Sequence, residues 1–243
     1  MTYCLGILLP GGLVMAADSR SNAGVDQIAL ARKMALITQP DRVIAILSAG
    51  NLATTQSVVT QLRQAAGGGD AARDVHAAKS LFNVAEMVGS LLRSVVDRDR
   101  SYVQPYGDPT GSFLVGGQVA GEAPRLFQIY SAGNFVEASS RSRFLQIGET
   151  KYGKPILDRV LSHETSLDEA ARLAMLSFDA TIRSNLSVGP PIDLLRYSAD
   201  SFSADNLVTV EDGDPYWFEL KRRYADGLSA LVDSLAPPPP GAF

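Results

Sequence analysis

Met1-Thr2-Tyr3-Cys4-Leu5-Gly6-Ile7-Leu8-Leu9-Pro10-Gly11-Gly12-Leu13-Val14-Met15-Ala16-Ala17-Asp18 opens the chain, and its reading organises the rest. Two apolar runs, Tyr3 to Leu9 and Leu13 to Ala17, flank Pro10-Gly11-Gly12. Pro fixes φ and Gly tolerates φ > 0, so the segment predicts a β-hairpin. With Leu9 and Leu13 at the mouth of the turn, the returning strand lays Asp18 to Arg20 beside Thr2 to Cys4. A one-residue slip of register keeps that neighbourhood. Thr2 is thus expected at a strand end, next to an Asp and an Arg, with no leader before it.

A Thr hydroxyl is a weak nucleophile at neutral pH and needs a base within hydrogen-bond reach. Met followed by a small residue is the usual substrate for removal of the initiator. Without Met1, Thr2 carries an α-amine with a pKa of about 8, neutral often enough to take the hydroxyl proton. Nucleophile and base then belong to one residue.

The next thirty residues extend the pattern. Ser19-Arg20-Ser21-Asn22-Ala23-Gly24 reads as a polar turn. Ile28 to Ile37 is an apolar run interrupted by Arg32-Lys33. A buried Lys needs an anion or a depressed pKa, and Asp18 is the natural partner for Lys33. A third apolar run, Val43 to Leu47, ends in Ser48-Ala49-Gly50, where the Gly admits close backbone approach by a ligand.

Thr2, the segment Gly11 to Arg20, Lys33 and Ser48-Ala49-Gly50 together resemble proteasome β-type subunits and the bacterial HslV peptidase. Ile147-Gly148-Glu149-Thr150-Lys151-Tyr152-Gly153-Lys154-Pro155-Ile156-Leu157 and Ser187-Val188-Gly189-Pro190-Pro191-Ile192-Asp193 resemble the Anbu (ancestral β-subunit) branch, over roughly residues 2–235. The resemblance implies a four-layer αββα sandwich of the N-terminal-nucleophile hydrolase type. It implies Thr2 as nucleophile and Asp18 and Lys33 as the pair that tunes it. It implies Gly50 as oxyanion donor, Ser48 and Ala31 as small residues shaping a specificity pocket, and Arg20 and Ser187 as supports. No cofactor is implied. Self-assembly into a ring or open ring, peptide or unfolded-protein substrates, and ATP-grasp or transglutaminase-like partners are. Two positions depart from the family. Ser184 stands where an Asp is expected in Asp-x-x-Ser-Gly-Gly, and Glu149 falls within a segment that is otherwise Gly-Ser-Gly. The same nucleophile also suits an amidase or acyl transferase on a small substrate, and the two departures suit an assembly protein with negligible turnover.

The remaining sequence sets bounds. A length of 243 residues supports one large domain, here 1–235, followed by a Pro-rich tail, 236–243, expected to be mobile. A net charge of −4 argues against nucleic acid as a partner. The single Cys4 excludes a disulfide framework and fits a reducing cytoplasm. No signal peptide is read, and no apolar run approaches the ~18 residues that span a bilayer. His76 and His163 lack metal-ligand spacing, so no metal site is expected. Helices are expected over 52–66, 75–97, 150–161, 166–182 and 215–235, the fourth opened by a Ser166–Glu169 capping box. Strands are expected over 112–120, 125–130, 134–138, 143–147, 192–197 and 206–210, with Gly116-Gly117 marking a bulge or a close approach.

Overall fold

The opening hairpin forms one residue tighter than its apolar runs suggest. In the computed structural model, which describes residues 1–22, 28–70, 72–239 and 241, strand β1 (Tyr3–Leu9) pairs antiparallel with β2 (Gly12–Asp18). Leu9 lies opposite Gly12 and Cys4 opposite Ala17, leaving Pro10-Gly11 as a two-residue turn. Gly12 has φ +139°, and a Cβ there would stand 2.0 Å from Tyr197 O on the neighbouring strand. The register one residue away from the expected one keeps Asp18 beside Tyr3, because both lie at the open end of the hairpin.

This hairpin is the centre of a five-stranded antiparallel sheet. Its order is β10 (Phe144–Gly148), β1, β2, β11 (Ile192–Ser198), β12 (Leu207–Val210). A second antiparallel sheet has the order β5 (Met34–Gln39), β6 (Arg42–Gly50), β7 (Gly111–Val119), β8 (Arg125–Ile129), β9 (Phe135–Glu137). Strands β3 (Arg20–Asn22) and β4 (Ile28–Leu30) form a small ribbon at the mouth between them. Part of the expected polar turn, 23–27, lies outside the described residues.

Alternation of side chains along the strands produces three apolar cores. Tyr3, Leu5, Ile7, Val14, Ala16, Ile192 and Leu194 pack beneath helices α3 (Lys154–Val160), α4 (Leu167–Ser184) and α5 (Pro215–Ser234). The opposite face of that sheet sends Cys4, Leu13, Met15 and Ala17 against Val43, Ala45, Leu47 and Leu114 of the second. The second sheet's outer face packs Ile44, Ile46, Phe113 and Phe127 against α1 (Leu52–Ala65) and α2 (Leu81–Val103). Three cores separate four layers, the expected αββα sandwich.

Gly116 marks a close approach and not a bulge. Strand β7 pairs with β6 without interruption, while a Cβ on Gly116 would lie 2.8 Å from Met15 Sδ in the facing sheet. Helix α2 starts six residues later than its periodicity suggests. Ser80 caps it through the Asn83 N–H, and the preceding chain is held in turns by the Asp74 carboxylate, which accepts from Gly69 N and His76 N. Helix α3 likewise starts at Lys154, after a turn. The Ser166–Glu169 capping box opens α4 as expected. In α5 only Trp217 is buried, and every residue from Ala225 to Leu235 is exposed. Of the proline tail, Pro240, Ala242 and Phe243 lie outside the described residues. No helix among the described residues is long and apolar enough to cross a membrane.

Candidate active site

The expected apolar run 28–37 is not one strand. It breaks at Ala31-Arg32-Lys33 between β4 and β5, because both cations reach across to carboxylates of the first sheet. Arg32 forks onto Asp193 at 2.8 and 3.1 Å, and Lys33 Nζ reaches Asp18 Oδ1 at 2.8 Å. Lys33 also donates to the Arg20 carbonyl, and the Ala31 N–H bonds Ser19 O at 2.8 Å. The link is thereby pinned to the end of β2.

Thr2 is half-buried and immediately precedes β1. The peptide N–H that follows it, on Tyr3, donates to Asp18 Oδ1 at 3.1 Å. One carboxylate oxygen therefore holds both the Lys33 ammonium and the backbone at the foot of Thr2. Asp18 is fully buried and the Lys33 side chain is 5% exposed. Burial holds the Asp18 carboxyl above its usual range, with Lys33 and the Tyr3 and Gly189 N–H groups offsetting this only in part. Cys4 is buried beside this pair. Its Sγ contacts Ser48 O at 3.5 Å, and burial pushes its thiol up, away from reactivity.

Ser48 meets Lys33 directly: its N–H bonds the Lys33 carbonyl at 3.1 Å. Hydrogen-bond direction alternates along a ladder, so the Gly50 N–H faces the same edge, past the point where β5 begins. Gly50 has φ +108°, and a Cβ there would lie 2.7 Å from Thr110 O. A cleft of about 620 Å³ opens beside it, lined by Gly50, Ser112, Gln128, Gln146, Gly148 and Thr150 among others. Neither Ala31 nor Ser48 lines that cleft; both lie on the Lys33 side of Gly50.

Arg20 donates to Leu186 O at 3.1 Å, and its guanidinium covers Gly189, where a Cβ would come within 2.3 Å of Cζ. Ser187 sits in the same turn, its N–H bonded to Asn185 Oδ1 at 2.9 Å. Ser184 is the last residue of α4 and is exposed. The next residue, Asn185, reaches Glu149 Oε2 at 2.9 Å, while the Glu149 N–H donates to Thr2 O at 2.8 Å. Sequence reading passed over Asn185 and Asp193. A helix C-cap and an Asp at the start of a strand carry no local signal; only the fold brings Asn185 to Glu149 and Asp193 to Arg32.

A buried Asp18–Lys33 pair thus lies beneath the Thr2–Tyr3 backbone, at the open end of the hairpin. The proteasome-subunit family model matches residues 2–195. The proteasome β1 subunit of Thermococcus sibiricus is 26% identical over 211 residues, spanning 86% of this chain and 93% of that subunit. Among solved structures, Anbu from Yersinia bercovieri is 42% identical with a TM-score of 0.92, covering 98% of this chain and 99% of that one. The helical assembly of the Anbu complex from Pseudomonas aeruginosa gives 42% identity and a TM-score of 0.93, covering 99% and 100%. The chain belongs to the proteasome-subunit family, in its Anbu branch.

Proposed function

We propose that the protein is a threonine peptidase whose nucleophile is Thr2, exposed by removal of Met1. The observation that carries this reading is the Asp18 carboxylate, shared between Lys33 and the backbone at Thr2. The Thr2 hydroxyl attacks the scissile carbonyl and its proton passes to the α-amine. Collapse of the tetrahedral adduct breaks the C–N bond, the ammonium protonates the leaving amine, and an ester to Thr2 remains. Water, deprotonated by the same amine, hydrolyses that ester. Lys33 stabilises the developing alkoxide, Asp18 fixes Lys33, and the Gly50 N–H receives the oxyanion, a donor worth ~3–4 kcal/mol in other hydrolases. Ser48 and Ala31, outside the cleft, lie on the Lys33 side of Gly50, and Arg20 and Ser187 brace the turn beneath Asp18.

Self-assembly, as a ring or open ring, belongs to the same reading. Leu228, Leu231, Val232 and Leu235 form an exposed apolar surface on the free half of α5, which supports it. Peptide or unfolded-protein substrates, a cytoplasmic location and ATP-grasp or transglutaminase-like partners are its remaining expectations.

The test is intact mass after incubation with a peptide epoxyketone, which needs both hydroxyl and free amine. Loss of Met1 plus one adduct, absent from Thr2→Ala, is the expected result. A processed chain that takes no adduct sinks the peptidase and leaves the assembly protein. Turnover of small amides but not peptides favours the amidase.

A further inference from the structure

Glu149 is 7% exposed, although the strand before it ends at Gly148 on the rim of the cleft. A buried carboxylate requires partners. Asn185 Nδ2 supplies one at 2.9 Å, and Lys151 Nζ stands 3.5 Å from the other oxygen with its own side chain 68% exposed. Asn185 is itself aimed, since its Oδ1 accepts the Ser187 N–H. The backbone brings this group to the nucleophile: Glu149 N–H bonds Thr2 O, and Gly148 takes φ +82° with no room for a Cβ, which would lie 2.0 Å from that same oxygen. Asn185 Nδ2 also lies 3.9 Å from Met1 Sδ. One amide therefore touches both the residue to be removed and the Glu149 carboxylate. A solvent-exposed Lys compensates a buried anion only weakly, so the carboxylate is poised for a second cation on the Met1 side.

We propose that Glu149, oriented by Asn185, is a positioning residue that accepts a hydrogen bond from the Thr2 α-amine once Met1 has gone. The inference rests on Thr2 being the processed N-terminus. Its contact fixes the amine over the hydroxyl it must deprotonate, and it does so with a carboxylate from the end of β10, whereas α4 ends in the uncharged Ser184. The charged groups packed around this end of β1 are Glu149 and Lys151 from the β10–α3 turn, the Asp18–Lys33 pair under the Tyr3 N–H, and Arg20, whose guanidinium lies over Gly189. An adjacent carboxylate favours the ammonium form and raises the amine pKa; Lys151 lowers it.

The experiment uses full-length wild type, Glu149→Gln and Lys151→Met, each checked by intact mass for loss of Met1. The Thr2 amine is dimethylated with 13C-formaldehyde and titrated by NMR, a readout independent of turnover. Its pKa is expected to fall by ~1 unit in Glu149→Gln and to rise in Lys151→Met. The acid limb of epoxyketone adduct formation moves with it. An amine that titrates identically in all three overturns the inference while leaving Thr2 as nucleophile. A normal amine shift with no adduct in wild type sinks the peptidase alone. Wild type that retains Met1 overturns both. Should Glu149→Gln fail to fold, Lys151→Met, altered only at an exposed side chain, still decides by the sign of its shift.

Discussion

Arg32 and Lys33 are adjacent cations in the link before β5, and each reaches an Asp on neighbouring strands of the first sheet. Lys33 meets Asp18 with both side chains buried, whereas the Arg32 guanidinium is 60% exposed over a buried Asp193. Asp193 keeps a further partner in Thr209, whose hydroxyl donates at 2.8 Å. The two pairs look alike in sequence and differ in solvent. Water screens the outer pair, leaving it a clasp between sheets. The inner pair lies in a low dielectric, where its field acts on whatever is adjacent, and what is adjacent is Thr2.

Breaking the inner pair gives the largest effect. Lys33→Met leaves an uncompensated carboxylate, and denaturant unfolding should register a loss of ~3–5 kcal/mol, with epoxyketone adduct formation abolished. The joint change Asp18→Leu/Lys33→Met sharpens the contrast. Replacing both charges by apolar groups is close to neutral for stability, yet adduct formation should stay absent. A reactive double variant would remove the pair from the chemistry.

A backbone change at the site ranks next. Gly50→Ala forces a side chain into φ +108° against Thr110 O and should cost ~1–3 kcal/mol, lowering the adduct rate more than it lowers the unfolding midpoint.

The pH response separates stability from reactivity. Burial raises the folded-state pKa of Asp18 above its unfolded value. The folded state therefore binds that proton more tightly, and the stability so gained is full below the unfolded pKa and lost as pH rises through the raised one. Reactivity runs the other way, because only ionised Asp18 holds Lys33. Subtracting the unfolding free energy of Asp18→Asn from that of wild type across the acid range should isolate this slope. A difference that grows with pH contradicts it.

The outer pair gives the smallest effect. Arg32→Ala should cost about 1 kcal/mol, less at high salt, with the adduct rate unchanged. An Arg32→Ala variant as damaged as Lys33→Met would erase the distinction between the two pairs.

The hairpin, the strand runs, the amphipathic α2 and α4 and the capping box were legible in the sequence, since alternation, turn residues and caps act within a few positions. So was the Asp18–Lys33 pairing, because a Lys in an apolar run demands an anion. Helix starts were misread where the reason is tertiary, as at Val75, whose carbonyl accepts from the Arg42 guanidinium of β6 along with that of Ala78. At Ala31–Lys33 the two cations inside an apolar run were visible, but the end of one strand and start of the next were not, because the ion pairs that separate them span 15 and 161 positions. Local chemistry thus determined which residues could form a nucleophile and its tuning pair. Only the tertiary structure decided that Asn185 and Glu149 would meet beside Thr2 and that Asp193 would clasp Arg32, because desolvation and cross-sheet contact exist only once the layers close.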